Sequence, residues 1–307
     1  MLPAELAILP SNELKSIIAL VLNGLTSPNT RRSYERSLLD FLTWYDRRGR
    51  PGLNKAIIQE YRAGLLVAKL SNATINLRLA AVSKLITEAV DNNLIDPSQA
   101  ASALKAKGLP QRGTRVGFWM SKEQAQALLS APDHTTLRGA RDRAMLSVLL
   151  GGGLRREEIT NLTVEHVQQR EGRWALVDII GKGSKVRTVP IPNWAVTAIE
   201  QWCKMAHITQ GPIFISLNRC FVKAGETKKL TVQAVCLVVS GYGRQIGLGL
   251  ATHDCRRSFA KLAYKGGAPV PQIQKSLGHS NLATTERYLG LDQDFENAPC
   301  DYLGLSL

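Results

Sequence analysis

Apolar residues recur at helical spacing along the first third of the chain. Ser27-Pro-Asn-Thr30 is typical of a helix start, and four apolar residues then share one face: Leu38, Phe41, Leu42 and Tyr45. A second helix is predicted over about 55–70. A third begins near Ser71 and carries an apolar stripe: Ile75, Leu79, Val82, Ile86 and Val90. Asp96-Pro97 is expected to stop the turn that follows. This part of the chain is therefore predicted to be helical throughout.

The rest of the chain mixes helical and strand patterns. Helices are predicted over 121–129 and 138–149. Two β-rich runs, 174–180 and 186–191, flank Gly181-Lys-Gly-Ser-Lys185 and predict a hairpin. Five further helices are expected over about 192–205, 231–247, 253–264, 271–277 and 282–289. The predicted fold is therefore mainly α with a small β-hairpin, an α+β arrangement.

A domain boundary is predicted where Gly, Pro and Arg cluster between the two patterns. The segment Gly108-Leu-Pro-Gln-Arg-Gly-Thr-Arg115 reads as an extended basic linker. We therefore expect a helical domain over 1–108, a linker over 109–116 and a mixed domain over 117–307.

The charge balance adds a prediction about partners. The 307 residues include 39 Lys and Arg against 25 Asp and Glu, a formal net charge of +14. The excess is present in both parts, with 15 basic against nine acidic residues in 1–112 and 24 against 16 in 113–307. Such an excess favours a polyanion, nucleic acid before a membrane surface, and both domains are expected to contact it.

Several other classes are disfavoured by the sequence. The most apolar run, 144–154, is about half the length of a membrane span and lies between Arg143 and Arg155. Residues 1–10 contain no Lys or Arg and do not read as a secretory signal. The five cysteines show no metal-ligand spacing. We expect a cytoplasmic, nucleoid-associated protein with no metal and no cofactor.

Four short stretches carry the candidate chemistry. Arg155 and Glu158 follow three glycines and share a face if a helix starts there. Lys182 lies between glycines at the hairpin tip, where a flexible ammonium can reach a phosphate or deliver a proton. His253 and Arg256 are three apart on one predicted helix, an arrangement that suits a phosphate. Each stretch by itself is equally compatible with ordinary surface charge.

The fourth stretch joins a histidine to a tyrosine. His279 precedes a helix N-cap at Ser280 or Asn281, and Tyr288 lies on the helix that follows. In this order the four stretches closely resemble the motifs of the tyrosine recombinase (phage integrase) family. The resemblance covers the whole second domain. The first domain is similar to the family's core-binding domain in its helical type and in the spacing of Thr30 and Tyr34.

The resemblance implies an activity and a set of catalytic residues. It implies a site-specific DNA recombinase that cleaves and rejoins strands through a 3′-phosphotyrosyl intermediate, for integration, excision, resolution or inversion. The implied catalytic residues are Arg155, Lys182, His253, Arg256, His279 and Tyr288. Cys255 stands where the family usually has Leu, which we interpret as a packing difference.

The implied partners are double-stranded DNA with paired inverted-repeat core sites and further copies of the chain. Two to four copies would assemble on DNA, with the apolar tail 301–307 docking on a neighbour. Candidate DNA contacts in the first domain are Arg31, Arg32, Asn72, Thr74, Asn76 and Arg78. Three alternatives stay open at this point: a type IB topoisomerase, a non-catalytic DNA-binding protein and a metal nuclease.

Overall fold

The chain divides into two compact units, Met1–Gly113 and Thr114–Leu307. The computed structural model describes residues 11–110, 117–217 and 228–289. The division falls inside the predicted linker, of which residues 111–116 lie outside the described residues. Each unit buries a hydrophobic core of its own.

The first unit contains five helices in its described part: α1 (Ser11–Asn23), α2 (Pro28–Arg47), α3 (Lys55–Val67), α4 (Asn72–Asp91) and α5 (Pro97–Leu104). Polar side chains cap the N-termini of α2 and α4, at the helix starts that the sequence predicts. The hydroxyls of Ser27 and Ser71 accept the backbone N–H groups at the starts of α2 and α4, which leaves fewer amide groups without a partner at each helix end.

The turn after α4 ends before Asp96-Pro97, as predicted, but the same pair also begins a helix that was not predicted. The Asp96 carboxylate accepts the backbone N–H of Ser98 at 2.8 Å, and Pro97 is the first residue of α5. An aspartate followed by proline suits a helix start, because the carboxylate caps the free N–H groups and proline lacks the donor that would go unpaired there.

The predicted apolar faces form the core of this unit. Leu38 and Ile75 are fully buried where α2 packs against α4, and Val90 is partly buried. The Phe41 ring stacks on Tyr45 with 5.6 Å between centroids and meets the edge of Tyr61 at 5.0 Å. These aromatic contacts connect α2 with α3.

The second unit contains eight helices and three strands among its described residues. The helices are α6 (Lys122–Ser130), α7 (Leu137–Gly152), α8 (Arg156–Thr160), α9 (Asn193–Met205), α10 (Val232–Gln245), α11 (Thr252–Lys265), α12 (Val270–Leu277) and α13 (Leu282–Leu289). The strands are β1 (Val167–Arg170), β2 (Arg173–Ile180) and β3 (Val186–Pro190).

The strands form one antiparallel sheet in the order β1-β2-β3. The predicted hairpin of β2 and β3 is confirmed, with Leu176 opposite Val189. The sequence did not predict β1, because Val-Gln-Gln-Arg has a single apolar residue and shows no clear alternation. A short 3-10 turn, Lys182–Ser184, joins β2 to β3. The mainly α fold with a small sheet is confirmed.

Helix α7 is the centre of the second unit. Nearly all of its residues are buried, and it packs against α6, α8, α9, α10 and α11. Its burial on all sides explains why its apolar pattern is continuous rather than one-sided. No helix within the described ranges is long and apolar enough to cross a membrane.

Candidate active site

The turn after α7 places the first candidate residue. Gly153 ends the helix with φ +60°, and a Cβ built there would lie 2.4 Å from Cδ1 of Phe259. Glycine alone adopts this conformation without strain and leaves room for the ring. Two residues later Arg155 occupies the N-cap position of α8, so the glycine run fixes where this arginine leaves the core.

Arg155 shares a buried carboxylate with a second arginine. Glu158 accepts the backbone N–H and the Nη1 of Arg155, each at 2.8 Å. Its two oxygens also accept Nη1 and Nη2 of Arg187 at 2.9 and 2.8 Å. The Glu158 side chain is 3% exposed and that of Arg155 is 27% exposed. The predicted shared face of Arg155 and Glu158 is confirmed.

Glu158 is ionised over the whole physiological range. Burial raises the pKa of its carboxyl, but the hydrogen bonds from Arg187 and Arg155 and the charge of Arg187 outweigh burial and lower the pKa to about 2. The carboxylate therefore supplies a permanent negative charge between two guanidinium groups.

Arg256 is buried beneath the site. Its exposure is 1%. Its Nη1 donates to the Gly153 carbonyl at 2.6 Å, and its Nη2 donates to the Leu277 carbonyl. The guanidinium of α11 is thus attached to the turn before Arg155 and to the end of α12. Its neighbour Cys255 is fully buried, as expected for a packing position.

His279 lies against Arg256. Gly278, with φ +63°, ends α12 and turns the chain towards the site. The Nε2 of His279 is 3.4 Å from Nη2 of Arg256, and its Nδ1 is 3.0 Å from Oγ1 of Thr285. The predicted N-cap of α13 is present at Asn281, whose side chain accepts the Ala283 N–H at 2.9 Å.

Both histidines are neutral at pH 7. Burial lowers the pKa of His253 to about 4, and the charges of Arg257 and Arg256 act in the same direction. Burial and the charges of Arg256 and Arg155 lower the pKa of His279 to about 4 as well. Arg256 contacts His279 and the Gly153 carbonyl just before Arg155, so residues of three separate segments lie together at this point. A cavity of about 540 Å³ opens beside Arg155 and His253.

The two remaining predicted residues are located by their backbone. Lys182 begins the turn between β2 and β3, and Tyr288 lies in α13. Their side chains fall outside the described part of the structure. Leu289, next to Tyr288, is buried, and its carbonyl accepts Nζ of Lys261 at 2.7 Å. The backbone that carries Tyr288 is therefore attached to α11, the helix of His253 and Arg256.

Sequence reasoning missed three residues that organise this site. Arg187, Lys261 and Thr285 contact candidate residues or their helices, and nothing in the local pattern marks the first two. Arg187 reads as one of several charges near a turn, and its carboxylate partner is 29 residues away. Thr285 is fully buried, and a polar residue on an apolar helix face was the available signal.

The chain matches known protein families in both of its units. A model of the phage integrase family matches residues 119–294, and one of the phage integrase N-terminal SAM-like domain matches 18–93. Tyrosine recombinase XerC of Myxococcus xanthus is 33% identical over 275 residues, 86% of this chain and 87% of the relative. The chain belongs to the tyrosine recombinase (phage integrase) family. The recombinase is also 30% identical to XerD of Pseudomonas aeruginosa over 282 residues, 88% of this chain and 89% of that one.

The recombinase also resembles solved structures in fold. The crystal structure of XerH site-specific recombinase bound to palindromic difH substrate matches with a TM-score of 0.71 and 19% identity, over 92% of this chain and 82% of that chain. Family membership confirms the predicted class of enzyme, one that cleaves and rejoins DNA strands.

In the recombinase, several predicted DNA contacts of the first unit have partners within the protein. Asn76 accepts the Leu109 N–H at 2.7 Å and donates to its carbonyl at 2.9 Å. Asn72 donates to the Pro110 carbonyl at 3.0 Å, and Arg78 pairs with Asp40 at 2.8 Å. Asn72 and Asn76 thus attach the segment after α5 to α4.

Proposed function

We propose that this chain is a site-specific DNA recombinase that cleaves and rejoins strands through a 3′-phosphotyrosyl intermediate on Tyr288. The observation that carries the proposal is the convergence of four side chains in the second unit. Arg256 contacts both His279 and the turn before Arg155, and Arg155 and His253 line one cavity. A phosphodiester repels nucleophiles by its own charge, so catalysis must neutralise that charge and align the attacking atom.

The arginines are assigned to the non-bridging phosphate oxygens. A guanidinium presents a planar fork of donors that matches two oxygens at once. Arg256 is held rigidly by two backbone carbonyls, and Arg155 keeps part of its side chain exposed towards solvent. His279 adds a third donor once it has taken up a second proton. These contacts strengthen as negative charge grows in the transition state.

The remaining three residues are assigned to bond making and proton transfer. The phenolic oxygen of Tyr288 attacks phosphorus and gives its proton to His253, whose imidazole is neutral at pH 7. The bond to the 5′ oxygen breaks, and Lys182 protonates that oxygen. The products are a 3′-phosphotyrosyl ester and a 5′ hydroxyl, and attack by a 5′ hydroxyl from another strand reverses the step.

Double-stranded DNA is the proposed partner. The net charge of +14 supports it, and so does the structural likeness to XerH bound to its difH substrate. We assign paired inverted-repeat sites to the DNA and a dimer-to-tetramer assembly to the protein. The tail 301–307, which lies outside the described residues, is assigned to docking between copies.

The first prediction is that Tyr288→Phe abolishes covalent attachment to DNA while leaving DNA binding intact, because phenylalanine lacks the attacking oxygen. Duplexes selected by binding from a random pool, then nicked, would be incubated with each protein and denatured. Wild type is expected to give a protein–DNA adduct on a denaturing gel, and Tyr288→Phe none.

An adduct that persists in Tyr288→Phe would assign the nucleophile elsewhere. No adduct with wild type on any selected site would favour the non-catalytic alternative. Relaxation of supercoiled plasmid by the protein without pairing of two sites would favour the topoisomerase alternative.

A further inference from the structure

Arg187 is held along the length of its side chain. It projects from β3 and is 10% exposed. Its Nε donates to the Ser276 carbonyl at 2.8 Å, and a Cβ at Gly278 would lie 2.9 Å from its Cδ. Because Cδ of Arg187 lies against Gly278 and its Nε is bonded to the Ser276 carbonyl, the orientation of the guanidinium plane and of its two Nη groups is fixed.

That orientation directs the two Nη groups at Glu158. Both Nη groups of Arg187 reach the carboxylate, one to each oxygen, at 2.9 and 2.8 Å. The same two oxygens receive the backbone N–H and Nη1 of Arg155. Glu158 is thus a rigid bridge between an immobilised arginine and an arginine that is partly open to solvent.

We propose that Arg187 is a positioning residue, which holds Arg155 through Glu158 in the orientation that meets the scissile phosphate. The proposal rests on the proposed function, because it has Arg187 orient Arg155, the arginine that is assigned to bind the phosphate. The guanidinium of Arg187 is directed at Glu158 and is 10% exposed, so we assign it an action through Arg155 rather than on the phosphate itself.

Charge compensation adds to the geometric argument. Arg187 and Glu158 neutralise each other, so the positive charge of Arg155 stays available for phosphate. Without Arg187 the buried carboxylate of Glu158 would keep Arg155 as its ion-pair partner, because a buried charge without compensation is costly. Arg155 would then be drawn towards Glu158 and away from DNA.

The test is Arg187→Lys, which keeps the charge and loses the fork. Single-turnover cleavage of a nicked duplex is expected to slow on the order of 10–100-fold, since small displacements of a catalytic group are costly. Affinity for the same duplex is expected to stay within about twofold. Arg141→Lys is the matched control, because Arg141 is also buried and donates twice to a carboxylate, through Nε and Nη2 to Oδ1 of Asp142, but lies outside the site. It is expected to cleave at the wild-type rate.

A double mutant separates positioning from general stability. If Arg187 acts through Arg155, then Arg155→Lys/Arg187→Lys cleaves no more than about twofold slower than Arg155→Lys alone, since coupled residues are not additive. Multiplication of the two effects, or wild-type cleavage by Arg187→Lys, would overturn the proposal.

Two further controls keep the result interpretable. Thermal melting reports whether Arg187→Lys is folded. If it is not, Glu158→Gln/Arg187→Met removes both charges together and is expected to fold and to cleave as slowly as predicted for Arg187→Lys; wild-type cleavage by that variant would overturn the proposal. Failure of the proposed function is distinct, since wild type itself would then form no adduct.

Discussion

At the scale of single residues, the hydrogen bonds of His279 fix its protonation. The guanidinium of Arg256 can only donate, so Nε2 of His279 accepts from it and Nδ1 carries the proton, which it donates to Thr285. With a pKa of about 4, the ring holds this single proton at pH 7. Donation from Nε2 to a phosphate therefore requires a second proton.

DNA binding is accordingly predicted to take up protons. A phosphate beside His279 favours the imidazolium and raises its pKa from about 4, so affinity should increase as pH falls from 8 to 6. Calorimetry in buffers of different ionisation enthalpy would measure the uptake at pH 6.5. His279→Gln is expected to reduce it, while His134→Gln, at an exposed position of the second unit, leaves it unchanged. Equal heats in all buffers would contradict the assignment.

At the scale of elements, local patterns predicted most helix starts. Ser27, Ser71 and Ser121 each cap a helix as their sequence context indicates. The helix that begins at Asp96-Pro97 was missed because the same pair suits a stop and a start, and only packing against α3 and α4 shows that a helix follows. Arg187 was missed for a related reason, since its role depends on a partner in another element rather than on neighbours in sequence.

The turn between α7 and α8 gives a prediction at this scale. Gly153→Ala should destabilise the fold by on the order of 3–5 kcal/mol, since it adds left-handed strain and a clash with Phe259. Gly172→Ala is the matched control, because Gly172 has φ +74° with nothing within 4 Å of the added carbon. It should cost about 1–2 kcal/mol. Chemical denaturation would measure both, and equal losses would remove the argument for close packing against Phe259.

At the scale of the whole molecule, basic charge is spread over both units. DNA affinity should therefore fall steeply between 50 and 200 mM salt, by on the order of 10³-fold or more if six or more phosphates are contacted. Arg32→Gln is expected to reduce the slope of log affinity against log salt by about 1. Arg78→Gln should change it less, because Asp40 already pairs with that guanidinium. A slope unaffected by Arg32→Gln would place the DNA elsewhere on the first unit.

The end of α12 has a consequence for how the arginines of the site are held together. Its carbonyls at Ser276 and Leu277 accept from Arg187 and Arg256 respectively, and the carboxyl end of a helix bears partial negative charge. This partial charge and the Glu158 carboxylate together offset the mutual repulsion of three guanidinium groups, those of Arg155, Arg187 and Arg256. The three guanidinium groups are therefore held together by contacts within the protein. DNA binding need not supply the free energy to bring them together.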